Sequence, residues 1–406
     1  MNNMKTILFV AQDSFPLHGA ESIVNLKLLS ALSKSGKFTI DLISKKAKGD
    51  SYGANSLEEL GIKVRNVYAL EVDNKFTLST VWEHFLCLLK FGIVFKGSHW
   101  AVHALAKVKD LCRDYNYDYV ITKNQASVLI GYYLKKHLGL KWIATWNDPF
   151  PSSLYPKVYK DFFNEKDSWA YRKIISVTRK YVDKVVVPNP RLRDYLLPFY
   201  GMERERTVVI PHVVLNSNMP LQKCEDRIDD TLRILHSGNI SYPRNPKVLL
   251  EGLSLLLRNH PDCRIALDIL GIVDDSLREL ISSYGLDSVV KIIPPVSYID
   301  SLQMLKNYDA AIVVEAVLDE GIFLPTKVSD FMQCNKAICA VSPKKGVLND
   351  LYKNGNIGYF ADNTSPDSVC DMINKLYSDF KCGGVKANTV PYEYTEKYII
   401  NEYLNF

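Results

Sequence analysis

Charged residues surround a proline in the stretch EAVLDEGIFLPTKVSDFMQCNKAI, which follows an apolar run of the chain. Pro325 has the position of a first helical residue, and Glu320 precedes it. Lys327 and Asp330 follow within the predicted helix. A helix start offers unpaired backbone N–H groups and the positive end of a dipole, so it suits an anion such as phosphate. A carboxylate one turn further on suits the hydroxyls of a sugar.

A second polar loop, LHSGNISYPRNPKVLL, begins at the end of a predicted strand. Gly238 and Asn239 stand at the strand end, and Arg244 precedes a helix that begins near Pro246. Arg244 or Lys247 can clamp a diphosphate through charge-assisted hydrogen bonds. A single loop arginine is more often only solvated, so this loop alone does not establish a phosphate site.

The first half of the chain carries further candidates in loops after strands. Gly19 opens a helix in PLHGAESI, where a glycine allows the backbone to approach a ligand closely. This single glycine does not form the G-x-G-x-x-G fingerprint of a dinucleotide site, which argues against NAD. His18 beside it is either an acid–base group or an exposed loop residue.

Two more polar loops follow the strands YDYVITKN and KWIATWND. The loop KNQAS offers Asn124 and Gln125 to a hydroxylated ligand. The other loop holds Asn147 and Asp148, and an aspartate before Pro149 is either a turn residue or a functional one. The histidines of HWAVH lack the glutamate of a zinc helix and no Cys/His zinc spacing occurs, so no metal site is predicted.

Short apolar strands alternate with helical stretches through both halves, from KTILFVAQD to KAICAVSP. This rhythm predicts two doubly wound, Rossmann-like α/β domains, each a parallel sheet with helices on both faces. The pattern fails over residues 216–230, which predicts a linker between an N-terminal domain, 1–215, and a C-terminal domain, 231–389. Ligands bind such sheets at the carboxyl ends of the strands, so the two domains are expected to face a cleft.

The amino-acid composition indicates a globular protein and argues against some classes of function. With 406 residues, 47% hydrophobic and 23% charged, the chain is globular and long enough for two cores. A net charge of +5 is mild for this length, which argues against a nucleic-acid binder. The eight cysteines are scattered, which indicates reduced thiols and a cytoplasmic protein, and the N-terminal run is typical of a strand rather than a signal peptide.

The segment VWEHFLCLLKFGIVFKG, Val81–Gly97, is too short and too interrupted by charge to span a bilayer. One interpretation is a helix packed within its own domain. The other is a helix in a membrane interface, flanked by lysines and anchored by Trp82, Phe85, Phe91 and Phe95.

The stretches GNISYPRNPKVLLEGL and DEGIFLPTKVSDFMQCNKAICAV resemble those of the retaining GT-B glycosyltransferases of family four. So do PLHGAESIVNLKLLSALSKSG, VVVPNPRLRDYLLPFYG and VVIPHVV, in the expected order over nearly the full length. The resemblance implies an N-terminal domain for the acceptor and a C-terminal domain for a nucleotide-sugar donor. It also implies that a final helix, within residues 390–406, returns to the first domain.

The resemblance assigns roles by position. Glu320 matches the first acid of the family's paired-acid motif, near the donor sugar, and Asp330 matches the second, which binds the ribose. Backbone N–H groups around Pro325 and Lys327 cap the diphosphate, and Gly19 lies beside the donor phosphates. The implied donor set is Gly19, Gly238, Asn239, Arg244, Glu320, Gly321, Leu324, Pro325, Thr326, Lys327 and Asp330. The candidate catalytic residues are Asp148 and Glu320. The candidate acceptor residues are His18, Asn124, Gln125 and Asn147.

Several positions depart from the family pattern. The second acid is an aspartate and lies further from the first than usual. Asn239 stands where relatives have an arginine, and the lysine of their diphosphate clamp is displaced, which leaves Arg244, with Lys327, as the substitute. The histidine of the first domain is absent from TWNDPF, where Asp148 or Asn147 remains.

These inferences predict a metal-independent glycosyltransferase that moves a sugar from a UDP- or GDP-linked donor to a hydroxyl acceptor, without a cofactor. The resemblance implies retention of the anomeric configuration. Surface-polysaccharide or lipid-linked oligosaccharide synthesis is the expected setting, in the cytoplasm or at the cytoplasmic face of the inner membrane. Two alternatives stay open: a silent GT-B subunit that binds a partner or glycan, and a nucleotide-sugar 2-epimerase with the same architecture.

Overall fold

The chain forms two compact units in its computed structural model. The first unit comprises Met1–Leu215 together with Glu396–Phe406, and the second comprises Asn216–Thr395. The structure describes residues 4–17, 19–47, 57, 61–72, 75, 77–123, 125–164, 166–216, 230–240, 242–244 and 246–406. Most of the predicted linker, 216–230, lies outside these described residues.

The first unit is built on a sheet of seven strands. They are β1 (Lys5–Val10), β2 (Phe38–Ala47), β3 (Asn66–Val72), β4 (Tyr119–Lys123), β5 (Lys141–Thr145), β6 (Lys184–Val187) and β7 (Thr207–Val209). Their order is β3-β2-β1-β4-β5-β6-β7, and all neighbours are parallel. β4 is buried along its whole length, as is typical of a strand covered on both faces.

Helices follow most of these strands. They are α1 (Gly19–Lys34), α2 (Leu78–Phe91), α3 (Trp100–Asp114), α4 (Ser127–Leu138), α5 (Lys157–Phe163), α6 (Trp169–Tyr181) and α7 (Pro190–Tyr200). Local sequence explains their ends. Before α7, the side chain of Asn189 accepts a hydrogen bond from the backbone N–H of Leu192, and Gly201 ends the helix in the left-handed conformation.

The predicted interfacial segment is helical only as far as Phe91, because Gly92 ends α2 in the left-handed conformation. Phe91 is 3% exposed and packs inside the unit, so its prediction as a membrane anchor is wrong. Trp82 and Phe85 are 58% and 47% exposed, with ring centroids 5.3 Å apart.

The last helix of the chain, α14 (Glu396–Leu404), belongs to the first unit. The hydroxyl of Tyr119 donates a hydrogen bond of 2.6 Å to the carbonyl of Tyr403, and the ring of Phe406 lies edge-on to Tyr119. Burial of Tyr403 and Ile399 therefore attaches the end of the chain to the first sheet.

The second unit is built on six parallel strands. They are β8 (Leu232–Ser237), β9 (Ile265–Leu270), β10 (Val290–Ile293), β11 (Ala310–Val314), β12 (Ala337–Ser342) and β13 (Tyr359–Asp362), in the order β10-β9-β8-β11-β12-β13. Its helices are α8 (Lys247–Asn259), α9 (Asp275–Ser283), α10 (Tyr298–Leu305), α11 (Lys327–Gln333), α12 (Val347–Lys353) and α13 (Pro366–Lys381). The predicted class of two doubly wound parallel-sheet domains is confirmed.

Close packing of α8 on α13 depends on one glycine. A Cβ atom at Gly252 would lie 2.6 Å from Cβ of Val369 and 2.7 Å from the carbonyl oxygen of Pro366. Only a residue without a side chain allows the two helices to approach so closely. Leucines of α8 thereby pack into the core of the second unit.

In each sheet the strand order reverses at one point, between β1 and β4 in the first sheet and between β8 and β11 in the second. Loops on either side of such a point leave in opposite directions and open a crevice at the carboxyl edge. Apart from Gly19, which follows β1, the predicted donor residues follow β8 and β11. The predicted acceptor residues follow β1, β4 and β5.

Candidate active site

Gly238 follows β8 at the crevice of the second sheet and adopts a φ of +110°, which favours glycine. A Cβ atom at this position would lie 3.1 Å from Nζ of Lys327. The first residue of α11 therefore extends its ammonium group directly over the backbone of the glycine. The structure brings these two predicted donor residues together.

The same lysine contacts a buried histidine that the sequence analysis did not single out. Nζ of Lys327 lies 3.3 Å from Nε2 of His236, and Nδ1 of His236 lies 3.1 Å from the carbonyl oxygen of Ile312. His236 is fully buried. Burial, and then the charge of Lys327, lower the pKa of His236 well below its ordinary value, although the hydrogen bond to the carbonyl of Ile312 raises it. The imidazole is therefore neutral.

Arg244 adds a second cation to this crevice. Its side chain is exposed, and its backbone forms an antiparallel bridge with Ala316, in the loop after β11. Burial and the charge of Arg244 lower the pKa of Lys327 to about 7, and Asp330 opposes this shift. The like charges of Lys327 and Arg244 thus repel each other, and an anion beside them would offset that repulsion.

Asp330 lies on α11, one turn beyond the helix start. The hydroxyl of Tyr298 donates a hydrogen bond of 2.7 Å to Oδ1 of Asp330, and the aspartate is only 9% exposed. Burial, and then the aspartate, raise the pKa of Tyr298 well above its ordinary value. The phenol therefore stays protonated and holds the carboxylate in one orientation.

Glu320 and Gly321 lie in the loop after β11. One carboxylate oxygen of Glu320 lies 2.5 Å from Nζ of Lys345. The backbone N–H of Gly321 donates to the carbonyl of Lys345, and its carbonyl accepts from the N–H of Val347, at 2.8 and 2.9 Å. These bonds fix the loop after β11 against the loop after β12 and so determine where Glu320 lies.

The remaining predicted donor residues have mainly structural contacts. Oδ1 of Asn239 accepts a hydrogen bond of 2.9 Å from the N–H of Ile272, which ties the loop after β8 to the loop after β9. Leu324 is buried, and the carbonyl of Pro325 accepts from the N–H of Val328 in the first turn of α11. Thr326 is the residue before α11 and makes no side-chain cap.

Glu315, directly after β11, is a second buried acid that the sequence analysis did not select. Ser342 donates a hydrogen bond to its carboxylate, and Glu315 is 6% exposed. Burial raises the pKa of Glu315 to about 7, although Ser342 and the charge of Arg244 lower it. Its only signal in the sequence is an acid at the end of the apolar run AAIVV.

In the first unit, an amide and two charged side chains meet at the carboxyl edge of the sheet. Nδ2 of Asn147 donates to both carboxylate oxygens of Glu21, on α1, at 2.8 Å. Burial raises the pKa of Glu21, and Lys123 opposes this shift. Burial lowers the pKa of Lys123, at the end of β4, to about 8. Glu21 was not predicted as a site residue.

Other predicted residues lie at the same edge of the first sheet. Nε2 of Gln125 donates to Oδ2 of Asp13 at 3.0 Å. Asp148 lies beside Tyr155, whose pKa is raised by burial and then by Asp148. Gly19 starts α1 with a φ of +73°, and no atom within 4 Å would meet a side chain there. His18 and Asn124 lie outside the described residues.

Among the described residues, no group of three or more His, Cys, Asp or Glu side chains is arranged to hold a metal ion. In the same part of the chain, every helix is too short or too polar to cross a membrane.

Two family models match successive parts of the chain. Residues 54–214 match the model described as Glycosyltransferase Family 4, and residues 222–393 match the model described as Glycosyl transferases group 1. The chain belongs to the family-four glycosyltransferases of the GT-B fold. The predicted resemblance to the family-four GT-B glycosyltransferases is confirmed, and the members of this family are transferases.

Curated relatives of this family-four chain share its sequence over part of their length. A D-inositol 3-phosphate glycosyltransferase of Paenarthrobacter aurescens (strain TC1) is 26% identical over 206 residues, which are 48% of this chain and 49% of that protein. The chain thus spans about half the length of the curated relatives it matches.

Solved structures share the GT-B fold over nearly the whole chain. The structure of Anabaena Alr3699/HepE in complex with UDP aligns with a TM-score of 0.65 and 15% sequence identity. The alignment covers 98% of this chain and 98% of the Anabaena chain. A UDP-GlcNAc 2-epimerase from Neisseria meningitidis, bound to UDP-GlcNAc, has a TM-score of 0.56 and 13% identity and covers 99% of this chain and all of the other. At these identities the likeness shows the fold.

Proposed function

We propose that this protein transfers a sugar from a nucleoside diphosphate sugar, linked to UDP or GDP, to a hydroxyl group of an acceptor. The observation that carries the proposal is the position of the Lys327 ammonium, 3.1 Å from where a side chain at Gly238 would begin. Backbone, lysine and Arg244 thus form a cationic site at the crevice of the second sheet, and a diphosphate is an anion that suits it.

The transfer reaction requires this site to stabilise negative charge on the leaving group. The bond from the anomeric carbon to the diphosphate oxygen breaks, a bond to the acceptor oxygen forms, and the proton of the acceptor hydroxyl passes to the departing diphosphate. Negative charge grows on the leaving diphosphate, where Lys327 and Arg244 stabilise it through charge-assisted hydrogen bonds. We propose that these cations replace a metal ion and that the transfer retains the anomeric configuration, as the family resemblance implies.

Two carboxylates bind the rest of the donor in this proposal. Asp330, oriented by Tyr298, accepts hydrogen bonds from the ribose hydroxyls. Glu320 lies near the donor sugar, and its ion pair with Lys345 holds the loop in place before the donor binds. A carboxylate that is already oriented loses little conformational entropy when a hydroxyl binds to it.

The acceptor binds, in this proposal, at the edge of the first sheet. Asn147, Asp148 and Gln125 present amide and carboxylate groups that suit sugar or polyol hydroxyls. Half-buried Glu21 and buried Lys123 stiffen this edge, since Asn147 is held by both oxygens of the glutamate. We also propose Gly19 as a donor residue, as the family resemblance implies; a Cβ atom at this position would meet no atom within 4 Å.

A lipid-linked acceptor fits the exposed face of α2. Four of its apolar side chains, Leu78, Trp82, Phe85 and Leu89, are 91%, 58%, 47% and 65% exposed. An amphipathic helix with aromatic anchors and basic neighbours is typical of binding to an anionic membrane surface, and Lys90 and Lys96 are both exposed. We propose contact with the cytoplasmic face of the inner membrane, in the synthesis of a surface polysaccharide or lipid-linked glycan.

Thermal unfolding with UDP, GDP, ADP and NAD tests the donor site. A ligand at about 100 times its Kd stabilises by roughly 2.7 kcal/mol. We expect this shift with UDP or GDP for the wild type and for Asp371→Ala, a change at an exposed residue of α13, and its loss in Asp330→Ala. Stabilisation by NAD alone would contradict the proposal.

Product analysis separates the alternatives. An epimerase converts the nucleotide sugar into its epimer without net release of the nucleoside diphosphate, whereas a transferase releases UDP or GDP, slowly even when water is the acceptor. A silent subunit leaves the donor intact. Release of the nucleoside diphosphate, dependent on Lys327, supports transfer.

A further inference from the structure

We propose that His236 is a positioning residue for the donor diphosphate, and that donor binding is coupled to the uptake of one proton by Lys327. The inference rests on the proposed function, because it concerns the same donor site.

The tautomer of His236 follows from its partners. A carbonyl oxygen can only accept, so Nδ1, 3.1 Å from the carbonyl of Ile312, carries the ring proton. The neutral ring then has a lone pair on Nε2. Nζ of Lys327, at 3.3 Å, donates to that lone pair. The histidine is thus an acceptor that aims the lysine at Gly238.

The position of the histidine makes this arrangement rigid. His236 belongs to β8 and is fully buried, so its ring cannot turn away from Lys327. Lys327 begins α11, and its ammonium lies over Gly238, where the backbone has no side chain. A flexible lysine therefore reaches a single location at the crevice, which reduces the entropy lost on binding.

Proton uptake follows from the environment of the lysine. With a pKa lowered to about 7 by burial and by Arg244, Lys327 is partly neutral at neutral pH. A diphosphate beside it favours the charged form and raises this pKa. The donor complex then binds more protons than the free protein. The affinity for the donor is therefore highest below about pH 7 and falls as pH rises above it.

Other ionisable groups face the same lysine. His236 lies on β8, Arg244 in the loop after β8, and Asp330 on the same helix. Glu315 acts on the site through Arg244, and its pKa of about 7 makes it titrate over the same range. The negative charge of ionised Glu315 would also weaken binding of the donor diphosphate. An experiment must therefore separate Lys327 from Glu315.

Calorimetric titration with UDP-glucose, from about pH 6 to about pH 8.5, measures the coupling. The sugar diphosphate is a diester without a titrating phosphate in this range, so the pH dependence reports the protein. We expect Kd to rise by up to about tenfold per pH unit above about pH 7, with buffer-dependent heats that show uptake of up to one proton. Lys327→Arg should bind without this uptake, whereas Glu315→Gln should keep it.

Two variants of the histidine test the positioning role. The amide of His236→Gln reaches the place of Nε2 and can accept from Lys327, whereas that of His236→Asn reaches only the place of Nδ1. We expect His236→Asn to weaken UDP-glucose binding about tenfold, mainly in KM and not in kcat, and to shift the pH profile to lower pH. His236→Gln should keep the wild-type affinity and pH profile, because its amide again offers a hydrogen-bond acceptor to Lys327.

The outcomes distinguish this inference from the proposed function. If the wild type binds UDP-glucose without proton uptake, or if His236→Asn binds as tightly as the wild type, the inference is wrong while the donor site stands. If uptake disappears in Glu315→Gln and persists in Lys327→Arg, the coupling belongs to Glu315 and the inference is again wrong. If neither UDP-glucose nor GDP-mannose binds, the proposed donor site fails and this inference fails with it.

Discussion

The hydroxyl of Tyr298 donates a hydrogen bond of 2.7 Å to Oδ1 of Asp330 and so joins α10 to α11. The same unit contains a second phenol–carboxylate pair, between Tyr308 and Asp268, at 2.5 Å. Asp330 is the carboxylate proposed to bind the ribose, whereas no ligand is predicted for Asp268. Removing the phenol hydroxyl from each pair therefore distinguishes an effect on donor binding from an effect on stability.

Tyr298→Phe is expected to weaken nucleotide binding about tenfold, because Asp330 loses the group that orients it. Tyr308→Phe removes an equivalent hydrogen bond and should leave nucleotide affinity unchanged. Both variants should lose about 1–2 kcal/mol of unfolding free energy. Calorimetry with UDP and urea denaturation of both proteins measure these effects. Equal nucleotide affinity in the two variants would contradict the role of Tyr298.

Gly238→Ala is expected to abolish most donor binding. The residue has a φ of +110°, and its new Cβ atom would lie 3.1 Å from Nζ of Lys327, so the lysine must move. Gly285→Ala is the matched control, since its φ of +68° imposes backbone strain but no atom lies within 4 Å. Both variants should lose about 1 kcal/mol of stability. Only Gly238→Ala should lose the thermal shift with UDP or GDP. A shift of normal size in Gly238→Ala would show that a Cβ atom at this position does not displace Lys327 from the donor site.

Glu315→Gln is expected to become more stable relative to the wild type as pH rises. Folding raises the pKa of Glu315 from 4.5 to about 7, so the folded protein holds an extra proton between these values. Wild-type stability from this group therefore falls over that range as pH increases, by about 2–3 kcal/mol, whereas glutamine does not titrate.

Urea denaturation at about pH 5 and about pH 8 measures this difference. Glu279→Gln, at an exposed position of α9, is the control and should show no change with pH relative to the wild type. A Glu315→Gln profile parallel to that of the wild type would mean that Glu315 ionises normally in the folded protein.

Asn147→Ala is expected to destabilise the first unit by about 1–3 kcal/mol, because both oxygens of half-buried Glu21 lose a donor. Asn66→Ala is its control. That residue donates to Asp41 at 3.0 Å, but Asp41 keeps Arg65 and a second partner, so the loss should be smaller. Denaturant titration measures both variants. The thermal shift with UDP should persist in each, and its loss in Asn147→Ala would place that residue in donor binding instead.

Replacement of Trp82 and Phe85 by serine is expected to reduce binding to phosphatidylglycerol vesicles at least tenfold, since both rings are exposed and about 2 kcal/mol is gained per buried aromatic side chain. Phe199→Ser removes a ring that is 49% exposed on α7 and should bind vesicles like the wild type. Sedimentation with the vesicles measures the partition. Equal loss in both proteins would indicate nonspecific adsorption rather than a membrane face on α2.

Local patterns in the sequence were enough to predict the repeated strands and helices, and the loops that carry Gly238, Arg244, Lys327 and Asp330. Hydrophobic periodicity and turn residues act over a few positions, so they can be read without knowledge of the fold. The family resemblance rested on the same loops. Phe91 shows the limit, because an apolar residue at the end of an amphipathic helix can point to either side, and tertiary packing buries it.

Only the tertiary structure decided which polar residues meet. His236 and Lys327 are 91 positions apart, and they come within 3.3 Å because β8 and β11 are neighbours where the strand order reverses. Glu21 and Asn147 meet across 126 positions for the same kind of reason. Burial and the like charge of Arg244 then lower the pKa of Lys327, and neither burial nor the charge of a neighbour is a property of a residue type. The residue order determined the fold and its loops, whereas the chemistry of the site depends on distances that only the folded chain sets.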